Sequence, residues 1–198
     1  MSLFALCGYL VSVGRVYWQL FSRLKKEAHK PISENLPYIL RIGKALLLGF
    51  IKSLWQKFGG QHAATGEQLG GENTLTEQLD GEDIPDSPQI TSLREWMLRI
   101  WQELSNEPEI NSMVQSVAGE DPLRALAEVS EHTFATGINW GRIVTFFYFT
   151  YRVIAQSSPD WFSRVIDWAM GFLQERLAVW IEQQGGWTAM FRYNPFSR

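Results

Sequence analysis

Residues 139–156 read NWGRIVTFFYFTYRVIAQ, and the folding of this stretch decides the architecture around it. Asn139 suits a helix start, because its side-chain oxygen can accept from a backbone N–H left free in the first turn. From Trp140 to Gln156 apolar residues fall on almost every side. A helix without a polar face belongs to the centre of a bundle or to a membrane. At 1.5 Å per residue it spans about 25 Å. Arg142 and Arg152 keep it from entering a bilayer readily by itself.

The flanking sequence is helical as well. Downstream, Ser158-Pro159-Asp160 opens a helix with Trp161, Val165, Trp168, Phe172 and Leu177 facing inward. The pieces LAVWIEQQ, a Gly185-Gly186 break and a short WTAMFRY follow. Upstream, Asp121-Pro122 starts a helix running to Gly137, with Leu123, Leu126, Val129 and Phe134 on its stripe. Pro108 starts another that carries Ile110, Met113, Val114 and Val117 and closes at Gly119. Ser92-x-x-Glu95 reads as a capping box before Leu93, Met97, Ile100 and Leu104. Residues 36–57 place Leu40, Leu47, Ile51, Leu54 and Phe58 on one face, with Asn35 as cap and Gly59-Gly60 as terminator. No run of β-branched residues alternates with polar ones. The expected fold is all-α: a central apolar helix, paired as a hairpin with the helix after it and surrounded by amphipathic helices.

The chain has 198 residues, 45% apolar and 20% charged, which suits one ordinary domain with a true core. A net charge of −3 argues against a nucleic-acid partner. Cys7 stands alone and His29, His62 and His132 are scattered, so neither a disulfide framework nor a metal cluster is expected. Residues 1–58 carry a charge of +7, residues 59–91 carry −7 and residues 92–198 carry −3. The acidic block is rich in Gly, Glu, Gln and Asp, and its large apolar residues are sparse. It is expected to be a long flexible loop inside a helical domain of residues 36–192, followed by a short tail at 193–198. Nine tryptophans point to interfaces more than to a simple soluble enzyme. No GxxxxGK[ST] loop, HExxH helix or GxSxG elbow is present, and neither catalysis nor a cofactor is expected.

Two motifs carry a family resemblance. Asn139-Trp140-Gly141-Arg142 ahead of an apolar helix, with Trp180-Ile181-Glu182-Gln183-Gln184-Gly185-Gly186-Trp187 about forty residues on, resembles the first and second homology regions of the B-cell lymphoma 2 family of apoptosis regulators. The resemblance covers roughly residues 38–190, and GKALLLGFI at 43–51 looks like the family's first helix. RIVTFFYFTYRVI and FLQERLAVWIEQQGGW are similar to the Bax-like effector branch, whereas pro-survival members more often place Glu where Tyr148 stands. The resemblance implies a death-motif helix at Leu93, Met97, Ile100, Trp101, Gln102 and Leu104. That helix is core when the fold is closed and ligand when released. It also implies a groove shaped by Asn139, Trp140, Gly141 and Arg142, with Trp180, Gly185, Gly186 and Trp187 in the second homology region. The pattern departs at two positions. Trp101 takes the place of a small residue, where an indole obstructs close helix–groove approach. Gln102 replaces an acid, and its hydrogen bond to Arg142 would lack charge assistance. On the residues alone, the same stripe reads equally as a plain core stripe, Arg142 as a surface charge and Asn139 as a cap.

Branch members usually close with an apolar membrane tail, whereas this sequence closes on RYNPFSR. Residues 1–14 carry no charged side chain and a basic cluster follows at Arg23, Lys25 and Lys26. Within the 1–35 extension three readings stand: a membrane or mitochondrial-targeting helix, a segment packed on the bundle, or a cleaved secretory signal. The resemblance implies an effector that rests in the cytoplasm, meets death-motif helices of its relatives, forms homo-oligomers and permeabilises the mitochondrial outer membrane. The alternative is a groove-bearing pro-survival protein that sequesters such helices, and Trp101 and Gln102 lean that way.

Overall fold

The computed structural model describes residues 35–62, 77–79, 87–116 and 121–194. The expectations for residues 1–34, for most of the acidic block and for residues 195–198 lie outside the described residues. All regular structure among the described residues is helical. In chain order it comprises α1 (Leu36–His62), α2 (Pro88–Leu104), α3 (Pro108–Ser116), α4 (Pro122–Phe134), α5 (Trp140–Gln156), α6 (Phe162–Phe172) and α7 (Ala178–Gln183). A 3-10 turn at Pro159–Trp161 leads into α6, a π-helical turn at Leu173–Leu177 joins α6 to α7, and a 3-10 segment covers Trp187–Arg192.

α5 is the axis. Twelve of its seventeen residues are buried, and it touches α1, α2, α3, α4 and α6. Phe146 and Phe147 are wholly buried and Phe149 is 2% exposed. Each such side chain contributes about 1.5–3 kcal/mol of transfer free energy. Two threonines are compatible with this interior because their hydroxyls turn back on the helix. Thr145 donates to the Gly141 carbonyl (3.0 Å) and Thr150 to that of Phe146 (2.9 Å). Phe134 of α4 and Phe172 of α6 close on Phe146 at ring distances of 6.1 and 5.1 Å, so the α5–α6 pair is locked to α4 through one aromatic cluster.

Caps set several boundaries. Asn139 accepts from the Arg142 N–H (2.9 Å), and Asp121 accepts from the N–H groups of Leu123 and Arg124. Each satisfies donors that a helix start leaves open. α4 ends at Phe134, short of the expected Gly137, which follows with φ +114.

Four further expectations need correction. α1 continues through Gly59-Gly60 to His62. A glycine weakens a helix interior by about 1 kcal/mol relative to alanine but does not end it, and α1 is anchored by a wholly buried run around Leu46, Phe50 and Leu54. α2 opens at Ser87-Pro88. The Ser87 hydroxyl accepts from the Ile90 N–H (3.2 Å), while Ser92, the expected cap, already sits inside the helix and donates to the Pro88 carbonyl (2.9 Å). The acidic block is not uniformly loop. Residues 77–79 form a helical turn whose Leu79 is 1% exposed and part of the core, and the Gln78 amide reaches the Pro159 carbonyl at 3.5 Å. Finally, Trp161 and Trp168 are half-buried. The inward face of α6 is Phe162, Val165, Ile166, Ala169 and Phe172 instead. Arg164 covers the Trp161 ring at 4.1 Å and Trp168 stacks on the buried Phe172 at 5.4 Å, so both indoles pack at the rim of the core.

Candidate functional site

The two motif regions meet at one end of the bundle. Trp140, at the start of α5, lies edge-on to Trp180 of α7 at 5.1 Å and 5.9 Å from Trp187. α7 ends at Gln183, and Gly185 and Gly186 then take φ +101 and +86. Side chains rarely adopt that backbone, and it turns Trp187 back into the core. The Trp187 indole donates to the Ile39 carbonyl of α1 (2.9 Å). α1 accommodates this through Gly43, where a Cβ would stand 2.6 Å from Leu173 and 3.1 Å from Trp187.

Gly141 has a similar role against the end of the chain. A Cβ there would meet the Tyr193 hydroxyl at 2.5 Å. Tyr193 is half-buried over this glycine, and burial raises its pKa against the opposing pull of the Arg142 charge. Arg142 turns the other way. Its guanidinium donates to the Gly137 carbonyl (2.8 Å) and to the Thr136 hydroxyl, which ties the α4–α5 connection to the helix start.

α2 buries Leu93, Met97 and Ile100, all at 1% exposure or less, and leaves Leu104 half-buried. Trp101 is 7% exposed and fills a space between α1 and α5. It lies edge-on to Phe58 (5.5 Å) and 5.7 Å from Tyr148, with the Lys57 ammonium 5.5 Å from its ring. Its indole N–H is buried without an acceptor. Gln102 is exposed, and no hydrogen bond joins it to Arg142. The structure therefore brings Asn139, Trp140, Gly141, Arg142, Trp180 and Trp187 to one end of the fold. In this closed form Leu93, Met97, Ile100 and Trp101 are core.

Sequence reasoning missed two members of this region. Trp96 of α2 donates its indole N–H to the Met190 carbonyl (2.9 Å) and lies 6.4 Å from Phe191. Tyr193 was read as tail. Neither has a local signal, since each finds its partner far away in the chain. Among the described residues no group of three or more His, Cys, Asp or Glu side chains could hold a metal ion, and no helix is long and apolar enough to cross a membrane. The geometry offers packing surfaces and buried aromatic anchors.

These features define a helical bundle wrapped around one buried helix, with its two motif regions joined at one end. A family model for apoptosis regulator proteins of the Bcl-2 family matches residues 94–187. The apoptosis regulator BAX of Bos taurus is 30% identical over 160 residues, covering 78% of this chain and 76% of its own length. BAX of Mus musculus is 31% identical over the same extent. Among solved structures, chicken BOK aligns with a TM-score of 0.61 at 18% identity, over 79% of this chain and 97% of its own. Trichoplax adhaerens trBcl-2L2 bound to trBak BH3 aligns with a TM-score of 0.58 at 20% identity, over 77% and 97%. The chain belongs to the Bcl-2 family of apoptosis regulators.

Proposed function

We propose that this protein is a pro-apoptotic effector that rests in the cytoplasm, is engaged by death-motif helices of its relatives, and then forms homo-oligomers that permeabilise the mitochondrial outer membrane. The observation that carries this reading is the extent of the BAX similarity. It runs over 160 residues, whereas Bcl-2 of Cricetulus griseus aligns over 77 residues, or 36% of this chain. The fold supports it. α5 is apolar nearly all round and is paired with α6, whose buried face is equally apolar. α2 packs against α5 and α1 with Met97 and Ile100 buried. Release of α2 would uncover apolar surface able to meet a second copy or lipid. By analogy with the trBcl-2L2 neighbour, which carries a bound BH3 segment, the first homology region at Asn139, Trp140, Gly141 and Arg142 is the proposed receiving end for a partner's helix.

A second reading, a pro-survival protein that sequesters death-motif helices, is favoured by Trp101 and Gln102. A buried indole and an uncharged amide make α2 a poor ligand for a relative's groove. Dye release from cardiolipin-containing liposomes, with and without a death-motif peptide, separates the two. Peptide-triggered release is expected. Tight peptide binding without release would replace the effector reading with the sequestering one.

A further inference from the structure

The segment Trp187–Tyr193 touches three different helices at three points. Its Trp187 is rooted on α1 through the Ile39 carbonyl, its Met190 carbonyl accepts from Trp96 of α2, and its Tyr193 lies over Gly141 of α5. Met190 is wholly buried and Trp187 is 4% exposed, so the strap is fixed at its base. Its outer edge is different: Phe191 is 42% exposed and rests against the half-buried Trp96. We infer that this strap keeps the α2 helix closed, and that separation of Trp96 from Met190 is the step that frees α2. The inference rests on the reading that α2 leaves the bundle when the protein acts.

The two tryptophans of α2 differ in what their N–H groups meet. The Trp96 N–H is satisfied, by a 2.9 Å bond to Met190. The Trp101 N–H is buried and unsatisfied. When α2 leaves, the Trp101 N–H reaches water, whereas Trp96 exchanges its bond to the Met190 carbonyl for one to water. Burying an unpaired donor works against the closed state, and a paired one supports it. Of the two polar anchors only Trp96 adds a hydrogen bond to the closed state, beside the apolar packing of Leu93, Met97 and Ile100, so the strap contact is the polar latch on α2. Trp101 holds α2 by packing alone, against Phe58 and Tyr148.

Hydrogen exchange of the full chain, read by mass spectrometry, tests this without any membrane. Trp96→Phe keeps a ring against Phe191 and deletes the donor. Amides of residues 90–101 and of residues 187–193 should then exchange faster together, about two- to tenfold for the loss of one net hydrogen bond, with α4 unchanged. Phe191→Ala, at an exposed position, should shift both segments in the same direction by less, and it serves if Trp96→Phe does not fold. Faster exchange in the strap alone, or in all helices equally, overturns the inference. Dye release is scored separately: coupled exchange without release would leave the strap standing and remove the effector reading, and release without coupled exchange would do the reverse.

Discussion

Gly141→Ala should change sign with the residue at 193. An added Cβ would lie 2.5 Å from the Tyr193 hydroxyl, 3.3 Å from its Cζ and 3.4 Å from the Asn139 side-chain oxygen. The first distance demands movement and the second asks the ring to give by a few tenths of an ångström, and both atoms belong to the far end of one half-buried side chain. Overpacking of this kind costs typically 1–3 kcal/mol, and about 1–2 kcal/mol is reasonable where one ring can shift. Against that, Gly141 is a helical residue without positive φ, where alanine gains about 0.5–1 kcal/mol by lowering unfolded-chain entropy. Gly141→Ala alone should therefore be destabilising by up to about 1.5 kcal/mol. Tyr193→Phe removes the clashing oxygen and leaves only the 3.3 Å approach to Cζ, and once the freed ring gives by a few tenths of an ångström the same alanine should stabilise by about 0.5 kcal/mol. Urea unfolding of the four proteins gives the cycle, with a coupling of about 1–2 kcal/mol expected. A coupling below about 0.3 kcal/mol would refute the placement of Tyr193 over Gly141.

Two other outcomes follow from the same reasoning. Leu79→Ala, in the acidic block, should lower stability by about 2–5 kcal/mol because the side chain is 1% exposed, and thermal unfolding against the parent chain reads it directly; a loss under about 0.5 kcal/mol would mean the residue is not in the core. Burial also raises the pKa of both Tyr151 and Tyr193 above the usual 10.0, with Arg152 and Arg142 respectively pulling the other way. Hydroxyls that hold their protons more tightly in the fold leave stability intact below the unfolded value near 10, and stability falls as pH rises through the raised folded values; Tyr193→Phe should remove part of that alkaline loss in urea titrations across the range.

What could be read from the sequence was what is decided locally. The central α5, its Asn139 cap and the Asp121-Pro122 start of α4 each depend on residues within one turn of each other, and all appear as expected. Boundaries failed where two signals competed. Ser92 and Glu95 offered a capping box, but Ser87-Pro88 lies four to five residues earlier and caps first. The composition of the acidic block described its average and missed Leu79, a single side chain that packs into the core. On α6, a seven-residue spacing put Trp161 and Trp168 on the apolar stripe. Val165 and Phe172 of that stripe are buried as expected, while Phe162 and Ala169 take the inward places next to the half-buried Trp161 and Trp168. In the candidate site, the motif residues were visible as motifs. Their partners were not. Trp96 and Met190 are separated by 94 positions, and nothing around either residue announces the other.

The Trp187–Ile39 hydrogen bond spans 148 positions, and that separation has a consequence during synthesis. At 5–20 residues per second, about 7–30 s pass between translation of α1 and translation of the indole that closes on it. Gly43 faces Leu173 and Trp187, both still unmade during that interval. α1 therefore emerges from the ribosome well before the residues that cover its N-terminal half exist. Its apolar run of Leu46, Leu47, Leu48, Phe50 and Ile51 has earlier partners in α2 and α5, with Phe50 6.4 Å from Phe147, so the cover over α1 is completed in stages. The end of α1 at Ile39 and Gly43 is therefore the part of that helix that waits for Leu173 and Trp187.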